Sequence, residues 1–138
     1  MNKKYERYIN YILNDIEAPY FNKMRDHYGL KDNEYKLILS KLFNQPVTIK
    51  GNYVYDNNGN KIYYEDSTGY WFKYEYDANG NNIYQENTDG LWVKKEYDTN
   101  NNLIYWEYST GYWGKREYNS NGKIIYHETS DGVIVDNR

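Results

Sequence analysis

Apolar and polar positions alternate along this chain with two different periods, and the period changes near residue 47. In the first part Tyr5, Ile9, Ile12 and Ile16 recur at spacings of four, three and four, with Tyr8 and Leu13 widening the stripe. That is the signature of one helix face. Pro19 ends this helix, because the residue before a proline is driven out of the α region. Phe21, Met24 and Tyr28 mark a second, short helix that stops at Gly29. Tyr35, Ile38, Leu39, Leu42 and Phe43 mark a third, capped by Asp32 or Asn33 and closed by Pro46.

From residue 48 the pattern becomes one of short alternating runs between turn residues. Tyr-Asp stands at 55–56, 76–77 and 97–98, with Tyr118-Asn119 as a fourth copy, each 21 residues after the last. Ile-Tyr pairs at 62, 83, 104 and 125 keep the same step, as do Glu65, Glu86, Glu107 and Glu128. So do Gly69, Gly90, Gly111 and Gly132, and then Trp71, Trp92 and Trp113. A fixed period of this length indicates a stacked or meandering array. Each copy holds two strands and two turns. "YDANGN" carries an Asn-Gly that supplies positive φ for a tight hairpin, and Asn101 takes the glycine place in "YDTNNN". The expected fold is α+β: a small helical cap over residues 1–47, then an antiparallel β-meander of four 21-residue hairpin repeats over 48–138. About seven or eight strands are expected.

Alternation along a strand sorts the residues by face. Trp71, Lys73 and Glu75 share one face, and later copies repeat the Trp-Lys-Glu set. On the other face Tyr70, Phe72 and Tyr74 become Leu91, Val93 and Lys95, then Tyr112, Gly114 and Arg116. In the Ile-Tyr strand, Tyr64 is replaced by Gln85, Trp106 and His127. One face is thus a repeated framework and the other differs from copy to copy, unless bulges at the turns shift the pattern by one residue.

The phrase "YDANGN…G" resembles the YD repeats of Rhs-type proteins, and the Gly-x-Trp…Tyr spacing is similar to MORN-like repeats, over residues 53–135. The first resemblance implies β-sheet built from hairpins; in large Rhs proteins such sheet forms a shell, which four copies cannot close. The second implies a single-sheet scaffold for protein or lipid contact. In size and style the chain also resembles short Tyr-rich repeat proteins of phages and mobile elements, some of which inhibit host defence.

Composition narrows the function. Twenty Tyr and four Trp must supply most of the buried area, and tyrosine hydroxyls favour half-exposed aromatic surfaces. Residues 1–47 carry 8 Lys/Arg and 6 Asp/Glu, while 48–138 carry 9 and 14, so the balance is +2 and −5. An acidic array argues against binding to nucleic-acid phosphates. There is no cysteine, hence no disulfide or thiolate metal site. With only His27 and His127, triads and histidine metal sites lack parts. Asp56–Asn60 is short of a calcium loop, since the EF-hand pattern needs Gly sixth and Glu twelfth, whereas Gly59 is fourth and Ser67 twelfth. Glu65, Glu86, Glu107 and Glu128 form a charge ladder with lysines, whereas glycosidase chemistry needs two unequal carboxylates in a cleft. "NEYKLILSKLF" offers only Lys36, Ser40 and Lys41 as a recognition helix, too few groups for base and phosphate contacts. No export signal or membrane-spanning stretch is read, and a cytoplasmic location is expected.

The expectation is therefore a non-catalytic protein-binding module needing no cofactor or metal. Its partner-binding residues are Tyr64, Tyr70, Phe72, Tyr74, Lys95, Trp106, Tyr108, Tyr112 and Arg116, because Tyr, Trp and Arg dominate interface hot spots. The narrower expectation is a phage or mobile-element inhibitor that occludes a host defence nuclease, its acidic repeats meeting a basic groove. The alternative is nucleic-acid binding by the aromatic face or the helical cap. The uncovered strand at Val133, Ile134 and Val135 also admits homodimerisation.

Overall fold

The structure, a computed structural model, describes residues 29–138. The helices expected over 5–16 and 21–28, and His27, lie outside the described residues. The described chain is one helix, α1 (Asp32–Leu42), followed by ten strands. These are β1 (Thr48–Lys50), β2 (Tyr53–Tyr55), β3 (Lys61–Glu65), β4 (Trp71–Tyr76), β5 (Asn82–Asn87), β6 (Trp92–Tyr97), β7 (Leu103–Tyr108), β8 (Trp113–Tyr118), β9 (Ile124–Thr129) and β10 (Ile134–Asp136). The strands succeed one another in chain order without a crossover. The meander is as expected, but it has ten strands rather than seven or eight. The addition is a short hairpin, β1 with β2, that precedes the first full copy of the repeated phrase. Contacts divide the chain into two compact units, Met1–Phe72 and Lys73–Arg138.

The first unit contains a conventional core. Tyr35, Ile38 and Leu39 from α1 are buried, as are Leu30, Val47, Val54, Ile62 and Tyr63. Phe43 meets Tyr63 with ring centroids 5.9 Å apart. The helix does not begin or end where punctuation in the sequence suggests. Lys31, in extended conformation, is the N-cap residue, and its N–H donates to Glu34 Oε1 at 3.3 Å. Asp32 is already in the first turn, where its charge complements the helix dipole. At the other end Asn44 adopts φ 55°. Gln45 N–H then reaches Ser40 O at 2.9 Å and Asn44 N–H reaches Lys41 O at 3.2 Å. This left-handed cap stops the helix two residues before Pro46.

The second unit is built differently. Of its residues only Trp106, Gly114 and Thr129 are buried. Its sheet is held by pairing across strands and not by a thick interior, so each aromatic or charged cross-strand pair contributes about 0.2–1 kcal/mol.

The turns share one backbone geometry. In the turn at 77–81 the Asp77 N–H donates to Asn81 O at 2.9 Å, and the Gly80 N–H returns to Asp77 O at 3.1 Å. The same two bonds recur in turns that start at residues 56, 66, 87, 98, 108, 119 and 129. This is a three-residue loop, a type I turn closed by one left-handed residue. That residue is Gly80 at φ 83°, and in the third copy Asn101 at φ 65°. Of the Asn-Gly pair, then, only the second residue takes positive φ. The first residue of the turn adds a side-chain lock: Asp77 Oδ1 accepts from Asn79 N–H and Asn81 N–H, both at 2.9 Å. Asn119 Oδ1 does the same at 3.0 Å in the fourth copy. Bulges fall at Val54/Tyr55, Glu96/Tyr97 and Glu117/Tyr118, at the strand end just before a turn.

These hydrogen bonds from backbone N–H groups hold the Asp77 and Asp98 carboxyls below the ordinary aspartate value, led by Asn81 and Asn102 respectively. A depressed folded-state value means stability that is present above the unfolded pKa and lost as pH falls through the folded one. The unfolding midpoint should therefore hold from pH 7 to 5 and fall below about pH 4. The variant Asp77→Asn/Asp98→Asn should match the parent at neutral pH, since Asn119 fills the same place, and decline less steeply in acid. Thermal melts between pH 2 and 7 check this, and parallel declines for the two proteins would refute it.

Candidate binding face

Cross-strand partners project to the same side of a sheet, so the register separates the two faces of the second unit. On the first face Tyr84 stands opposite Lys94, and Glu86 opposite Trp92. Lys94 is opposite Glu107, Glu96 opposite Tyr105, Tyr105 opposite Lys115 and Lys115 opposite Glu128. This is the framework face expected from the repeated letters, and the bulges near the turns do not exchange its Trp-Lys-Glu set for the other side.

Its contacts repeat too. Lys94 Nζ lies 4.7 Å from the centre of Trp92, and Lys115 Nζ 5.9 Å from Trp113. Tyr84 and Tyr126 donate hydroxyl hydrogen bonds to Glu86 and Glu128 at 3.2 and 2.8 Å. Lys115 pairs with Glu128 at 2.9 Å, and its hydrogen bond holds the Glu128 carboxyl below the usual range. The last strand inverts the charges: Asp136 and Arg138 stand where earlier copies have Lys115 and Glu117. Arg138 then pairs with Asp136 at 3.0 Å and with Glu117 at 3.2 Å, its guanidinium 4.0 Å from the ring centre of Tyr126. Two shallow depressions of about 650 and 580 Å³ are lined by residues 21 apart, such as Tyr105, Lys115 and Glu117 in one and Tyr84, Lys94 and Glu96 in the other.

The opposite face carries the side chains that vary. Lys95 is opposite Trp106, Val93 opposite Tyr108, Trp106 opposite Gly114, and Arg116 opposite His127. The Trp106 indole is 9% exposed because it lies flat over Gly114. A Cβ on that glycine would fall 2.0 Å from the ring. The Arg116 guanidinium sits 4.8 Å from the Trp106 ring centre, and His127 stacks on it at 5.8 Å and 23°. Arg116 Nε–H also donates to His127 Nδ1 at 3.3 Å. Nearer the turns, Leu91, Tyr108, Tyr112 and Val133 are exposed at 52, 41, 37 and 49%. The rings of Tyr108 and Tyr112 are 5.9 Å apart.

The structure thus brings Lys95, Trp106, Tyr108, Tyr112 and Arg116 onto one face of the second unit. Tyr64, Tyr70 and Phe72 form a separate aromatic group in the first unit, with Tyr64–Phe72 at 6.4 Å, Tyr70–Phe72 at 5.3 Å, and Tyr53 joining at 4.8 Å from Tyr64. Tyr74 is half-buried in β4. Trp106 is a packing residue that seats Arg116, and not an exposed anchor. Its dependence on Gly114 has a sequence signal: a glycine fills a strand position held by Phe72 and Val93 in other copies, opposite a position that has grown to Trp. Leu91 and Val133, outside the expected site, occupy the same place in their copies as Tyr112.

Among the described residues no cluster of three or more His, Asp or Glu could hold a metal ion, and no helix is long and apolar enough to cross a membrane. No family model and no curated protein matches the chain.

The Trp106–Gly114 fit has a measurable counterpart, because the preceding copy fills the same cross-strand pair with Gln85 and Val93. Gly114→Val should displace the indole and cost about 1–3 kcal/mol, with a red shift in tryptophan emission. The double variant Trp106→Gln/Gly114→Val, which copies the earlier pair, should recover part of that loss in urea denaturation. Single effects that add to within about 0.5 kcal/mol would show that the pair is uncoupled.

Proposed function

We propose that this chain is a non-catalytic protein-binding module that works through the varying face of its repeat array. One observation carries the reading: the groups that pair the strands recur on one face, and the opposite face differs between copies while keeping Leu91, Tyr108, Tyr112 and Val133 open to solvent. Aromatic residues next to an arginine on a rigid strand platform are the composition of an interface hot spot. The two depressions on the framework face support binding over catalysis, since each repeats the other's lining. General acid–base chemistry requires two groups held in unequal settings.

A second reading, which would use the framework face, is a phage or mobile-element inhibitor that occludes a host defence nuclease. Its support is the acidic balance of residues 48–138. In the second unit the strand carboxylates belong to the framework face, so a basic groove would be met by that face and not by the varying one.

The test is affinity capture with the immobilised protein from a lysate of the cells in which it acts. A protein partner should be retained in a stoichiometric amount. The variant Tyr108→Ser/Tyr112→Ser, shown by circular dichroism to be folded, should retain it at least tenfold less well, since exposed aromatic anchors each account for about 1–2 kcal/mol. Trp106 is left in place because its loss would disturb the sheet itself. Recovery of no stoichiometric protein, or equal retention by the variant, would defeat the proposal.

A further inference from the structure

The acidic balance of the array conceals an uneven placing of its carboxylates, which on the strands keep to one face while cations stand on both. Seven carboxylates lie on strands of the second unit: Glu75, Glu86, Glu96, Glu107, Glu117, Glu128 and Asp136. The register places Glu86, Glu96, Glu107, Glu117, Glu128 and Asp136 on the framework face. Glu75 acts on Tyr84 of that same face. The remaining carboxylates of the unit, Asp77, Asp89, Asp98 and Asp131, belong to turns. The strands' varying face holds Lys95 and Arg116 and, among the described residues, no carboxylate.

Neither cation is neutralised by an ion pair among the described residues. Arg116 is held in place by the Trp106 ring and by His127, which accepts a hydrogen bond but supplies no counter-charge. Lys95 and Arg116 stand on β6 and β8, two strands apart, so their backbones are separated by about 10 Å. Leu91 and Tyr112 precede them by four residues, immediately before the same strands and about 13 Å nearer the turns. The face therefore has an exposed apolar row along one side and a cationic row along the other, each stepping at the same interval.

We infer that the varying face of residues 73–138 docks an acidic protein segment, one that presents carboxylates to Lys95 and Arg116 and an apolar side chain to the Leu91–Tyr112 row. This rests on the protein-binding reading and specifies the partner's chemistry. Charge complementarity decides the sign. A polyanion such as single-stranded nucleic acid fits less well, because counterion release needs many clustered cations and the strands of this face offer two. The Trp106 ring is also covered, so it offers no free surface to a base.

The test uses two synthetic decapeptides of equal aromatic and aliphatic content, one rich in Glu and one in Lys, and a thymidine decanucleotide, each titrated into the labelled full-length protein and followed by NMR. The Glu-rich peptide should shift the resonances of Lys95, Arg116 and Tyr112 and bind at least tenfold more tightly than the Lys-rich one. Arg116→Glu should abolish or reverse that preference, whereas Lys94→Glu, on the framework face, should leave it. Preference for the Lys-rich peptide overturns the inference, as do shifts confined to Trp92 and Trp113, tighter binding of the oligonucleotide, or no shift with any probe. Lysate capture separates the two levels: a partner lost from the tyrosine variant but indifferent to Arg116→Glu refutes the acidic docking and leaves the protein-binding reading intact.

Discussion

Each reversal of the chain between Asp56 and Val133 depends on one residue held at positive φ, four places into the turn. A β-carbon is unwelcome there, and glycine fills the place except where Asn101 does, the side chain best able to tolerate it. Because the loop is three residues long at every turn, the partner of each strand residue is set by its distance from that position. Register in turn decides which side chains meet. A one-residue slip would send every Trp-Lys-Glu set to the opposite face and break the pairs that hold the sheet. The separation of framework from varying residues is thus a consequence of turn geometry before it is a property of any side chain.

The two units rest on different physics. Residues 29–72 bury Tyr35, Ile38 and Leu39 of α1 together with Val54, Ile62 and Tyr63 of the strands, in the ordinary manner of a small domain. Residues 73–138 do without such a core and rely on a lattice of modest contacts: lysines over tryptophans, tyrosine hydroxyls on glutamates, and one sulfur-free knot of Trp106, Gly114, Arg116 and His127. Exposed ion pairs add little singly, so the stability of this sheet is spread over many sites. Local substitutions on the varying face then perturb the fold weakly, with the fitted pair Trp106 and Gly114 the exception.

Much of this was legible in the sequence. The 21-residue step, the two turns per copy and the division into faces follow from alternation and from the placing of Asn, Asp and Gly. What was not legible depends on three-dimensional competition between local signals. Pro46 is the louder stop for α1, yet Asn44 enters the left-handed region first and its neighbours' hydrogen bonds settle the end. Thr48–Lys50 has no recurring letter, so its pairing with β2 lies outside the periodic pattern. Net charge misled most, because it sums over both faces, and only the register shows that the strand carboxylates of residues 73–138 share one side. Trp106 reads as an exposed anchor until the missing Cβ of Gly114 is seen to make room for it.

The confinement of pairing groups to one face has an evolutionary corollary. A 21-residue copy carries its own turns and its own half of each strand pairing, so recombination between copies exchanges surface without disturbing register. Duplication of the segment that holds Lys95, or its replacement by the one that holds Arg116, would rewrite the pattern of charge and apolar relief in single steps of about 10 Å. Such an array can change its surface by shuffling whole segments, where an ordinary globular domain must accumulate point changes against the resistance of its core.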